Sequence, residues 1–304
     1  MRKPDFLIIG AQKAGTTTLH DWLITQSQLS LPNIKETHFF SKENRFEKGY
    51  NWYIKQFDMT SDKKIIGEVD PDYIFMPGVI EKIRQYIKKT KFIIILRSPI
   101  ERAYSHYKMS CYRGYEKLSF LEALKAENNR LKSNDYHSVA HFSYLSRSFY
   151  APQIIKFKKA FPDSAFYFSN FDDLFSKDHK EKEFTSICEF IGFTPDTSII
   201  DFDLSSNVAS TPRSTVLHNL IYNKNSPIKK IVRPFARLLF SEDQRLKVAQ
   251  QGEKFNRAKK KLNPQRLKFK PSQELREQTI KDLDKLQTIT GLDVSYWHRE
   301  EYLL

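Results

Sequence analysis

Short apolar runs bounded by glycine or polar residues alternate with longer amphipathic stretches through the first two thirds of the chain. Asp5 to Gly10 is an apolar run ending in glycine, followed by a polar, helix-like stretch from Thr16 to Gln26; together they read as strand, loop and helix. Lys91 to Leu96, KFIIIL, is a continuous run rich in β-branched residues, which predicts a strand covered on both faces, as in parallel sheets. Ser164–Phe171 and Lys64–Val69 are two further strand candidates. Helical patterns cover Met76–Lys89, Pro99–Tyr112, Ser119–Lys132, Arg147–Phe161 and Glu181–Ile191. Strands alternating with helices predict an α/β fold with a central parallel sheet flanked by helices.

After about Asn207 the strand signals stop, prolines recur and basic residues accumulate. A last helix is predicted over Gln273–Thr290, with Ser272 as N-cap and Gly291 just past its C-terminus. Leu275, Leu283 and Leu286 share one face of it, with Ile280 near the edge. The expected organisation is a single domain over 1–304: an α/β core to about residue 206, then a helical, basic C-terminal part.

Charge sharpens that division. The net charge is +14, and Lys224 to Lys281 holds 17 Lys/Arg against 5 Asp/Glu. Such an excess is either a set of solvated helix faces or a surface for an anionic cofactor, polymer or nucleic acid. The two cysteines, Cys111 and Cys188, indicate neither a disulfide framework nor a zinc site. No apolar run approaches the roughly 18 residues of a membrane span, and MRKPDFLIIG is too short in apolar residues for a signal peptide. The expected location is cytoplasmic.

The chemistry begins at IIGAQKAGTTTL, Ile8 to Leu19. Gly10 and Gly15 have the spacing of a phosphate-cradling loop, yet Thr16-Thr17 follows where nucleotide hydrolases place Lys-Ser/Thr. Backbone N–H groups at a helix N-terminus attract an anion, so Lys13, Ala14, Gly15, Thr16, Thr17 and Thr18 are candidate binding residues. An ordinary strand–helix turn is the alternative. The strand KFIIIL ends in Arg97, a cation where a metal-dependent scheme prefers an aspartate. That counts against a kinase. In RSPIERAYSHY, Ser98, Pro99 and Glu101 read as a capping box, which places Arg97 at the carboxyl end of a central strand and Ser105 on the next helix.

Taken together, these motifs resemble the sulfotransferases that use 3′-phosphoadenosine 5′-phosphosulfate (PAPS). GAQKAGTTTL is similar to their 5′-phosphosulfate loop and FIIILRSPIERAYSHY to their 3′-phosphate segment, with Arg97 and Ser105 as ligands. KETHFF with GYNWYIKQF, and LSRSFYAPQIIKFKKAFP, resemble the heparan-sulfate and bacterial carbohydrate branch; GLDVSYW resembles the family's usual ending. The resemblance implies Glu36 as general base and Lys13 at the bridging oxygen between sulfur and phosphorus. It leaves His38 to orient Glu36 or the acceptor, or to be the base itself; in an extended segment the two side chains would point the same way. No metal is then required. Related heparan sulfotransferases carry Lys-Thr-Pro or Lys-Ser-Pro where this chain has EVDPDY: Val69 replaces the lysine, and Asp70 and Asp72 add negative charge that suits a neutral or cationic acceptor. The Lys-Gly-Arg loop over the 3′-phosphate is absent, with Lys268 and Lys270 of RLKFKP as its nearest counterpart or else a solvated basic loop.

The expected partner is a small-molecule or carbohydrate acceptor carrying a hydroxyl or an amine, with no nucleic acid and no membrane; oligomeric state is not legible. Two other readings stay open: a nucleic-acid-binding protein built on the basic C-terminal part, and a magnesium-dependent small-molecule kinase.

Overall fold

A computed structural model describes residues 2–58, 64–203, 213–222, 234–236, 238–256 and 271–298. Five parallel strands form the central sheet: β1 (Phe6–Gly10), β2 (Leu29–Ser30), β3 (Ile65–Val69), β4 (Lys91–Leu96) and β5 (Ala165–Asn170), in the spatial order β2-β3-β1-β4-β5. Every residue of β1 is buried, as are the last five of β4, so helices cover both faces, as the continuous apolar runs predicted.

The helices around the sheet are α1 (Thr16–Leu23), α2 (Glu43–Phe46), α3 (Tyr50–Ile54), α4 (Val79–Tyr86), α5 (Pro99–Tyr112), α6 (Phe120–Leu131), α7 (Tyr136–Phe142), α8 (Tyr150–Ala160), α9 (Phe171–Phe175) and α10 (Lys180–Ile191). The C-terminal part contributes α11 (Thr215–Tyr222), α12 (Glu242–Asn256) and α13 (Gln273–Thr290). The helix predicted from Arg147 begins instead with a 3₁₀ turn, Ser146–Ser148, before α8.

The chain leaves β1, visits β2 and β3 on one side, then crosses to β4 and β5 on the other. The loops after β1 and β4 therefore diverge above adjacent strand ends, which is where open α/β sheets bind ligands. Beneath them, Phe92 of β4 packs against Phe157 of α8, Phe161 just past its end and Phe166 of β5. The last helix is integral to this core. Leu283 and Leu286 of α13 are fully buried, and Asp282 accepts the N–H groups of Tyr150 (2.8 Å) and Ala151 (3.2 Å), capping α8. Ser272 accepts the N–H of Leu275, and Gly291 follows with φ +73°, as predicted; Leu275 itself is only half-buried.

Candidate active site

Gly15 caps α1 at φ +84°, and a Cβ added there would come within 2.1 Å of the Phe175 ring. Both the left-handed backbone and the close aromatic wall therefore require glycine. No side chain caps α1, so the first-turn N–H groups of Thr16 and Thr17 are left for an external anion. Ala14 differs from expectation: its N–H donates to the Ala11 carbonyl at 3.0 Å. Thr16 and Thr18 are buried, leaving Thr17 as the half-exposed hydroxyl of the three. Lys13 has φ +75°, and its Nζ lies 4.0 Å from Sδ of Met109 on α5.

Arg97 stands at the carboxyl end of β4, as predicted. Its guanidinium lies over the Phe171 ring at 4.4 Å, and its Nη1 donates to the Lys13 carbonyl at 3.4 Å, tying the two loops together. The predicted capping box does not form. Ser98 makes no side-chain cap, and the Glu101 carboxylate, which would complete the box at the Ser98 N–H, instead accepts from Nε (3.2 Å) and Nη2 (3.1 Å) of Arg97. Ser105 follows Glu101 by four residues on α5, and Lys108 by seven, so the three share one helical face. Burial and then the Arg97 charge hold Lys108 below the usual lysine range. Lys268 and Lys270 lie outside the described residues.

The KETHFF segment is not extended. Glu36 and His38 both have left-handed backbones, φ +55° and +52°. Two such residues cost on the order of 1–3 kcal/mol each unless the surroundings impose them. Here three buried carboxylates do. Glu68 of β3 accepts the Thr37 N–H (3.0 Å) and hydroxyl (2.5 Å), together with the hydroxyls of Tyr53 (2.8 Å) and Tyr73 (3.0 Å). Asp70 Oδ2 accepts the His38 N–H at 2.9 Å and lies 3.2 Å from its Nδ1; Asp72 Oδ2 lies 3.7 Å from the same nitrogen. Nδ1 faces both carboxylates, so it carries the proton of the neutral ring and leaves Nε2 as the acceptor in that form; in the protonated ring both nitrogens donate. Asp72 also pairs with buried Arg147 (2.7 Å) and accepts from Gln12 of the glycine loop (3.1 Å).

These contacts set the electrostatics. Burial alone would lower the His38 pKa, but the charge and hydrogen bond of Asp70, with Asp72 behind it, raise it above 6.5. Burial would raise Asp72, yet Arg147 and His38 hold it below its ordinary value. Burial, then the Asp70 charge, push Glu68 up to about 7. Asp70 and Asp72 of EVDPDY are thus buried, with His38 and Arg147 as their charged neighbours. His38, Asp70 and Asp72 do offer three ligand atoms within 4.8 Å of one another. A cation there would displace the His38–Asp70 contact and sit against the Arg147 guanidinium, so this group fits a metal poorly.

Lys35, which the sequence reading passed over, links the two halves of the site. Its Nζ donates to Thr17 Oγ1 at 2.6 Å and lies 3.6 Å from Glu36 Oε1. Arg102 was also missed: fully buried, it donates to the carbonyls of Gln12 and Tyr144 and to Ser148 Oγ, and burial pushes its pKa down to about 10. Nothing in a linear pattern distinguishes such a brace from a surface arginine.

Lys13, Lys35, Arg97, Lys108 and the open turn of α1 thus converge above β1 and β4, next to Glu36 and the carboxylate-held His38. Comparison with known proteins bears on the family of the chain. A family model described as Sulfotransferase domain matches residues 3–233. Heparan sulfate glucosamine 3-O-sulfotransferase 5 of Mus musculus is 26% identical over 221 residues, which is 73% of this chain and 62% of that protein. Membrane-associated sulfotransferase kil1 of Dictyostelium discoideum is 34% identical over 110 residues, 35% of this chain and 23% of that one. The chain therefore spans less than two thirds of these curated relatives. Among solved structures, a sulfotransferase from Alicyclobacillus acidocaldarius shares the fold with TM-score 0.63 and 20% identity, covering 98% of this chain and 100% of that one.

Proposed function

The chain belongs to the sulfotransferase domain family, and from that premise we propose that it transfers the sulfuryl group of PAPS to an acceptor hydroxyl, with Glu36 taking the acceptor's proton. The supporting observation is the convergence of two anion-receptive elements at adjacent strand ends. One is the uncapped first turn of α1 with Lys13 and Thr17; the other is Arg97 with Ser105 and Lys108, about two and two and a half turns along α5. Their separation into two loops suits a donor with a 5′-phosphosulfate and a 3′-phosphate. The chain's residues fit that donor, which supplies the activated sulfuryl group.

Each side chain has a definite task in this reading. The turn of α1 and Lys13 hold the 5′ anion, and Lys13 offsets the charge that develops on the departing phosphate. Arg97, fixed by Phe171 and the Lys13 carbonyl, holds the 3′-phosphate, for which Glu101 is its stand-in partner. Glu36 is 29% exposed and beside Lys35, so its carboxylate is accessible to an acceptor O–H. The proton passes from that hydroxyl to Glu36 Oε as the acceptor oxygen bonds to sulfur. The acceptor is a carbohydrate or small natural product; an amine would react by the same geometry.

The test is binding of adenosine 3′,5′-bisphosphate in EDTA, read as a rise in melting temperature. A rise supports the metal-free donor site. No shift with the bisphosphate, together with a shift by ATP and magnesium, would replace this reading with a kinase.

A further inference from the structure

The family match ends at residue 233 and α12 lies beyond it, yet α12 holds the segment that carries Glu36 at both ends. Gln250 Nε2 donates to the Lys35 carbonyl at 3.0 Å, which fixes the peptide leading into Glu36. Asp243 accepts from Trp52 Nε1 at 3.1 Å and from Arg45 Nη1 at 2.7 Å. The Trp52 ring centroid lies 6.1 Å from that of Phe39, the residue after His38, and Phe39 stacks on Tyr53 at 4.7 Å. Glu242 adds ion pairs with Arg45 (3.1 Å) and Lys48 (3.0 Å).

Asp243 and Gln250 stand two turns apart on one face of α12, about 10 Å along its axis. One helical face therefore fixes the chain before Glu36 and, through Trp52, after His38. Burial alone would raise the Asp243 pKa, but the hydrogen bonds of Arg45 and Trp52 hold it below its ordinary value, so it accepts as a carboxylate. The far end of α12 has its own anchor. Asn256 Nδ2 donates to the Ser214 carbonyl (2.9 Å), and Asn256 Oδ1 accepts the Ser214 N–H (2.8 Å). On α11, which follows Ser214, His218 Nε2 lies 2.6 Å from the Tyr112 carbonyl at the end of α5. The helix thus ties the Glu36 segment to the helix that bears Ser105 and Lys108.

We propose that Gln250 and Asp243 are positioning residues for Glu36, acting from a helix outside the span of the family model; the role assigned to Glu36 is the one on which this rests. The β3 carboxylates bond the amides of Thr37 and His38, whereas the peptide entering Glu36 is bonded from α12. A shift of the Lys35 carbonyl would move the Glu36 backbone and carry the Lys35 ammonium away from Thr17 Oγ1. An error of about 1 Å at a reacting group can cost about 10²-fold in rate, so a partial loosening is readable. The rival account is an incidental surface contact, since an exposed glutamine on a carbonyl is often dispensable. It leaves unexplained why both contacts fall on one face and bracket the same two left-handed residues.

The experiment is amide hydrogen exchange of the full chain, read at Thr37 and His38, with Ile93 and Ile94 of β4 as the reference for global opening. Gln250→Glu and Asp243→Ala should each speed exchange at Thr37 and His38 by about fivefold or more and leave β4 as it is. Gln250→Lys, which keeps an N–H donor, should restore the slow rates. This readout needs no donor, acceptor or base. The second measurement is release of inorganic sulfate from PAPS with water as acceptor. Gln250→Glu and Asp243→Ala should lower its kcat by about three- to tenfold and leave the affinity for adenosine 3′,5′-bisphosphate within about twofold. Unchanged exchange at Thr37 and His38, or an equal rise in β4, overturns the proposal. So does unaltered sulfate release, or like behaviour of Gln250→Glu and Gln250→Lys. If Glu36→Gln releases sulfate as fast as the unaltered chain, the base assignment falls and the positioning role falls with it; the exchange rates still decide separately whether α12 holds the segment.

Discussion

A single oxygen of Asp70 holds His38 twice, accepting its backbone N–H at 2.9 Å and facing its Nδ1 at 3.2 Å. The backbone contact fixes where the residue sits; the ring contact fixes which nitrogen carries the proton. Because Asp70 and Asp72 raise the His38 pKa, the ring stays protonated to higher pH than a free histidine.

Asp70→Asn keeps an acceptor for the backbone N–H but removes the charge. The His38 pKa should then fall by about 1 unit or more, observable in the NMR titration of its ring protons. An unchanged titration would mean that Asp70 does not set the charge of His38.

Glu36→Gln retains shape and removes the base. Turnover should fall by about 10²–10⁴-fold while adenosine 3′,5′-bisphosphate binds nearly as before. Retention of most activity would transfer the proton-accepting role to His38, whose ring accepts at Nε2 when neutral.

Arg97→Ala should weaken adenosine 3′,5′-bisphosphate by about 10–100-fold and adenosine 5′-phosphosulfate far less, because only the former has a 3′-phosphate. Isothermal titration with both ligands measures the ratio. Equal losses would reduce Arg97 to a structural brace between the Lys13 carbonyl and Phe171.

Glu68 governs stability against pH. Its pKa rises from 4.5 to about 7 on folding, so the folded state holds that proton more tightly than the unfolded chain does. The stabilisation is full below the unfolded value and is lost as pH rises through about 7, an effect of at most about 3 kcal/mol. His38, also raised, acts in the same direction from 6.5 upward. Melting temperature should therefore decline from about pH 5 to about pH 8, and Glu68→Gln should flatten that slope. A slope unaltered by the substitution would place the titration elsewhere.

The architecture was legible because its signals are local. KFIIIL became β4 with the expected bounds, Pro99–Tyr112 became α5, and Gln273–Thr290 became α13 with its cap and terminal glycine. The two-residue strand β2 and the one-turn helices α2 and α9 left no periodic signal long enough to read. At Ser98 a local rule failed, because Glu101 had a stronger partner in Arg97 than in the backbone it was expected to cap.

Sequence by itself therefore determined the alternation of strands and helices, the glycine loop, the arginine ending β4 and the family to which these motifs belong, since each is carried by contiguous residues. Only the tertiary structure decided how those parts act on one another. It turned Glu36 and His38 into left-handed positions imposed by Glu68 and Asp70, set Lys35 between Thr17 and Glu36, and spent the charge of Asp72 on Arg147. The partners in these contacts lie 18, 31, 32 and 75 residues apart. Burial then converts such proximity into fixed orientation and shifted pKa values, because in a low-dielectric interior a charge must find a partner or change its protonation.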